Sequence, residues 1–90
     1  MMFLELMDKI TLNENDEYIV VNITVVDGVK YYLLADEYND IMIGYIDGND
    51  FVSIENNLKF GKILLKFDPN EVLKYFNESE IEQLLDENKN

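Results

Sequence analysis

The first two thirds of the chain read as β-strands separated by turns, and after Glu55 the apolar spacing lengthens to that of a helix. In DKITL (8–12), Ile10 and Leu12 fall on one face of a short strand, and NEND (13–16) reads as a turn. YIVVNITVVDGVKYYLLADE (18–37) places β-branched and aromatic runs on both sides of Asp27-Gly28. That dipeptide favours a two-residue type I′ hairpin, because both central residues need positive φ. Folding about it pairs Ile23 with Tyr32 and Val21 with Leu34 on one face, and Thr24 with Tyr31 and Asn22 with Leu33 on the other.

DIMIGYIDGNDFVSIE (40–55) folds the same way about Asp47-Gly48, pairing Ile43 with Val52 and Ile41 with Ile54. Gly44 then lies opposite Phe51, whose ring can cover a glycine in the neighbouring strand. The acids around Gly48 do not make a calcium loop. Such a loop needs oxygen ligands at positions 1, 3 and 5, Gly at 6 and Glu at 12. With Gly48 at position 6, Ile43 and Ile54 occupy the end positions; with Asp47 at position 1, Leu58 takes position 12. The stretch is a turn.

In NNLKFGKILLKF (56–67), Phe60, Ile63, Leu64 and Phe67 follow helical spacing while Lys59, Lys62 and Lys66 fall on the other side. This predicts an amphipathic helix, weakened by Gly61, which costs about 1 kcal/mol relative to Ala in a helix interior. A strand over KILLKF competes. FDPNEV (67–72) is a helix start: Asp68 caps, Pro69 takes the first helical position, Glu71 completes a capping box, and Phe67 with Val72 forms the flanking staple. The helix over 69–76 buries Val72, Leu73 and Phe76. A second box, Ser79 with Glu82, opens a last helix burying Ile81, Leu84 and Leu85.

The fold class is therefore α+β, one domain over 1–90: an antiparallel β-meander of about five strands with hairpins at Asp27-Gly28 and Asp47-Gly48, then two or three short helices. Residues 1–56 form a β-rich acidic part and 57–90 a helical part. The first hairpin is apolar on both faces, with Ile19, Val21, Ile23, Val25, Tyr32 and Leu34 on one and Val20, Val26, Val29, Tyr31 and Leu33 on the other. A sheet with one wet face alternates more cleanly. Short helices cover one face, so the second is hidden by a sheet curled toward a barrel, by a homodimer, or by a binding partner.

Composition narrows the chemistry. Ninety residues with 48% hydrophobic side chains can pack a core despite a net charge of −12. The chain has no Cys and no His, which removes thiolate nucleophiles, disulfides and the commonest metal ligands. All seven basic residues are Lys, so bidentate Arg clamps are gone and direct nucleic-acid binding is not expected. MMFLELMDKITL lacks the features of a signal peptide, and no run approaches the roughly 20 apolar residues of a membrane span. The expectation is a cytoplasmic protein that does not insert in a membrane.

Charge is uneven. Residues 1–56 carry twelve acids and two Lys, 57–67 carry three Lys and no acid, and 68–90 carry seven acids and two Lys. The Lys stripe is read as the solvated side of a helix, with docking on acids of the same or a second copy as the alternative. ADEYND brings Asp36, Glu37 and Asp40 together around Tyr38 at the end of the first hairpin. No catalytic residue, metal ligand or cofactor is assigned, and no enzymatic activity is expected. The candidate interaction surface is Asp36, Glu37, Tyr38, Asp40, Tyr31 and Leu33. The leading function is a non-catalytic protein-interaction module whose partner is basic or carries an apolar patch. The second is an acidic, phage-type inhibitor that mimics nucleic acid, and the third a carboxylate-based metal-binding protein.

The order KITL, EYIVV, KYYLLADE, IENNLKFGKILLKF resembles the small acidic bacterial YrzB-like proteins over roughly residues 8–67. That family shares an opening KIT strand, an acidic turn, a hairpin ending in a Tyr-containing strand, and an amphipathic segment after an Ile-Glu pair. The closing segment here is basic where the family's is acidic and carries a Trp, and the two C-terminal helices are extra. The resemblance lends no function, because the family has none assigned.

Overall fold

The structure is a computed structural model that describes residues 4–12, 15–77 and 79–80. Five strands, β1 (Lys9–Leu12), β2 (Asp16–Val26), β3 (Val29–Ala35), β4 (Ile41–Asp47) and β5 (Asp50–Ser53), pair in chain order as an antiparallel meander. Among the described residues the helices α1 (Asn57–Leu64) and α2 (Pro69–Val72) follow. The α+β architecture is the one the hydrophobic pattern predicts. No helix among the described residues is long and apolar enough to cross a membrane.

The first hairpin forms at the predicted dipeptide. Asp27 and Gly28 both have positive φ, 51° and 80°, between the paired residues Val26 and Val29. Ile23 pairs with Tyr32, Thr24 with Tyr31 and Asn22 with Leu33, as expected. Val21 does not pair with Leu34. A β-bulge between Val20 and Asn22 shifts the register, so Val20 takes that partner and Ile19 meets Ala35. The extra residue sends Val20 to one face and Val21 to the other. Because both faces are apolar, no polar residue in the pattern marks the shift. Asp16 belongs to β2, opposite Leu12, rather than to the preceding turn.

The second hairpin turns one residue later than expected. Asp47 pairs with Asp50, so Gly48 and Asn49 are central, and Gly44 pairs with Ser53 instead of Phe51. Of the two central residues only Gly48 has positive φ, 65°, the pattern of a type II′ turn with Gly first. The slip moves each partner by two residues, which leaves every side chain on its predicted face. The glycine–aromatic contact survives along the diagonal: a Cβ built on Gly44 would lie 2.6 Å from two atoms of the Phe51 ring.

The core has two clusters, one on each face of the sheet. Leu33 and Leu34, neighbours in the central strand β3, point to opposite faces and are both 0% exposed. Under the helices, Tyr31, Leu33 and Ile43 pack with Ile63, Leu64, Phe67 and Val72. On the other face Leu4, Ile10, Val20, Tyr32 and Leu34 pack with Met42, Ile46 and Phe51. That second cluster joins side chains from β1 at one edge to β5 at the other, so the sheet curls into a half-barrel over its own apolar face. Of the three ways to hide it, the curl is the one observed.

The helical part follows its caps. Asn56 caps α1 by accepting from the Lys59 amide at 3.0 Å. Ile63, Leu64 and Phe67 are buried and Phe60 is half-buried, so the helix displaces the competing strand. Asp68 caps α2 and Pro69 opens it. The segment is tied to the sheet by two β2 side chains: the Thr24 hydroxyl donates to the Lys66 carbonyl at 3.0 Å, and the Asn22 carboxamide oxygen accepts from the Asp68 amide at 3.2 Å. The helix over 69–76 is shorter than expected: α2 stops at Val72, turns follow, and Leu73 is 49% exposed rather than buried. Of the expected last helix, Ile81, Glu82, Leu84 and Leu85 lie outside the described residues.

Candidate interaction surface

The β3–β4 connection is built by one carboxylate. Asp36 Oδ1 accepts from the amides of Tyr38 at 2.8 Å and Asp40 at 2.9 Å, while the Asp36 amide donates to the Asp40 carbonyl at 3.0 Å. Such local side-chain bonds let Asp nucleate turns. Asn39 closes the turn at φ 63°, a left-handed conformation that Asn tolerates. Tyr38 is left 77% exposed.

Beside this turn is a cleft of about 370 Å³ lined by Asn15, Asp16, Glu17 and Ile19 from the start of β2 and by Asp36, Glu37 and Tyr38. Four carboxylates therefore border one concavity. The nearby Tyr18 phenol is held above its ordinary pKa, first by partial burial and then by the negative field of Asp16, Asp36 and Asp40. Lys9 of β1 reaches Glu17 of β2 at 3.7 Å, with both side chains exposed, so the pair contributes little. Among the described residues no group of three or more acids has the arrangement to hold a metal ion.

Of the six sequence-predicted surface residues, Asp36, Glu37, Tyr38 and Asp40 are brought together at this end of the sheet. Tyr31 and Leu33 are not part of it. They are 5% and 0% exposed beneath the helices, because every second residue of β3 feeds the helix-side core. The Tyr31 ring packs edge-on against Tyr45 with centroids 6.0 Å apart, and the Lys59 ammonium lies about 6 Å over both rings. One lysine of the basic stripe therefore lies over aromatic surface of its own sheet, and Lys59, Lys62 and Lys66 are all exposed. Asp16 and Glu17 were missed. Running the first hairpin's register past Ala35 would have found them, since it carries the acids at the start of β2 toward those that follow β3.

Comparison with protein-family models, curated proteins and solved structures finds no match to this chain. The reading of this surface rests on its own geometry.

Proposed function

We propose that the protein is a non-catalytic interaction module that takes a basic segment of a partner protein into the acid-bordered cleft, with Tyr38 as its aromatic anchor. The observation that carries this reading is the Asp36 turn, which holds Tyr38 outward at the lip of a cleft bordered by Asp16, Glu17, Asp36 and Glu37. Tyrosine is enriched among residues that dominate binding energy, since it buries a large area with few torsions to order. The carboxylates contribute orientation and association rate for a cationic partner. The apolar faces of the sheet are filled from within the chain, so the cleft is the stronger candidate for contact.

The test is an amide chemical-shift titration with a short peptide of Lys and Arg. Shifts concentrated at 15–19 and 36–40, and an affinity reduced roughly 10-fold or more in Tyr38→Ala with unchanged melting temperature, are expected. Equal shifts around Asp27, Asp47 and Asp50 would reduce the effect to unspecific attraction by an acidic surface and sink the reading. A nucleic-acid mimic is the second reading, motivated by twelve of the nineteen acids lying in residues 1–56. It requires a partner whose binding duplex DNA displaces.

A further inference from the structure

Where α1 hands over to α2, the surface holds an apolar dimple of about 120 Å³, lined by Leu64, Leu65, Phe67, Pro69, Val72 and Leu73. Its floor is buried and its walls are exposed. Leu64, Phe67 and Val72 belong to the helix-side core, whereas Leu65 and Leu73 are each 49% exposed. An apolar cavity of about 150 Å³ accepts a benzene ring, so this dimple is sized for one aliphatic or aromatic side chain.

The charge beside it is the reverse of the rest of the molecule. The chain carries −12 overall, yet residues 57–67 hold three Lys and no acid. Lys62 lies one helical turn before Leu65 and Lys66 directly after it, both exposed. Among the described residues neither forms an ion pair. On the α2 side the acids are engaged: Glu71 pairs with Lys74 at 2.9 Å, and Asp68 accepts from the Asn70 amide at 3.0 Å as the helix cap. The rim charges that no described group already engages are those of Lys62 and Lys66.

We propose that this dimple docks a short acidic segment of a partner protein, with one large apolar side chain seated against Leu65 and Leu73 and carboxylates on Lys62 and Lys66. Charge complementarity selects the occupant. A second copy would set −12 against −12. An anionic membrane or a nucleic acid would meet the same repulsion over a far wider area than two lysines offset. A short segment brings few charges and an anchor of the right size. The site shares no residue with the acid-bordered cleft, so either reading can fail alone.

The probe is a short, end-blocked peptide with a central Leu flanked by Glu, titrated into the full chain and followed by amide chemical shifts. Saturable shifts at 62–66 and 71–74 are expected. Leu65→Ala with Leu73→Ala and, separately, Lys62→Gln with Lys66→Gln should each weaken binding about 10-fold or more. Melting temperature should stay unchanged in both, because these side chains are exposed. A peptide with Ala in place of the Leu should lose affinity to the same extent. No saturable shifts, equal binding of a peptide with Lys in place of Glu, or capture of the chain by vesicles of anionic lipid would overturn the proposal. So would nuclear Overhauser contacts, in the free protein, from the Leu65 and Leu73 methyls to a second copy or to the chain's own residues 81–90.

Discussion

Gly44 is the residue whose side chain, or lack of one, is most constrained by its surroundings. A methyl group there would meet the Val52 carbonyl oxygen and the Phe51 ring, the latter at 2.6 Å. A ring can swing but the backbone carbonyl cannot, so Gly44→Ala is expected to destabilise by about 1–3 kcal/mol, in the range of overpacked cores. A urea midpoint unchanged from wild type would contradict this. The contact was legible in the sequence although the register was not, because a two-residue slip preserves faces and leaves a ring within diagonal reach. Tyr18 gives a prediction in pH. Its folded-state pKa is raised above the ordinary 10.0, chiefly by partial burial. The folded chain therefore holds that proton more tightly than the unfolded chain, so the contribution is intact below about pH 10 and is lost as pH rises further. Tyr18→Phe should show a shallower alkaline loss of stability than wild type. Parallel profiles up to about pH 11 would remove the assigned role.

At the scale of elements, the helix α1 depends on one row of side chains. Leu64 is 0% exposed between the sheet and α2, whereas Leu73, nine positions on, is 49% exposed. Leu64→Ala is expected to cost about 2–5 kcal/mol, while Leu73→Ala should stay within about 0.5 kcal/mol. Similar losses in chemical denaturation would show that the α2 region is covered differently. The row Phe60, Ile63, Leu64 and Phe67 was readable because helical spacing separated it from Lys59, Lys62 and Lys66. The end of α2 was not readable: Val72, Leu73 and Phe76 are compatible with one more turn of helix, and the chain leaves the helix after Val72. The bulge at Val21 escaped for a related reason. Where neighbouring positions are all β-branched, a register change exchanges one valine for another and leaves no polar residue misplaced. Tyr31 and Leu33 were assigned to a surface because the face they share could not be matched to the helices from spacing alone.

For the whole molecule, the consequence is that one chain of 90 residues covers both faces of a five-stranded sheet. Helices fill one face, and curvature brings β1 and β5 side chains into a shared cluster on the other. The two-faced apolar pattern of the first hairpin announced the problem, and the choice among curl, dimer and partner lay in long-range packing that no local pattern carries. What remains outward is largely acidic, with Tyr38 at one end of the sheet and scattered apolar residues such as Val25 and Leu65. The central claim, that the second face is consumed within a single chain, is tested most directly by the molecular mass in solution, measured by light scattering at low and high salt. A monomer at both is the predicted result. A dimer that persists at high salt, where charge–charge association is screened, would show that the apolar face is completed by a second copy and contradict the account.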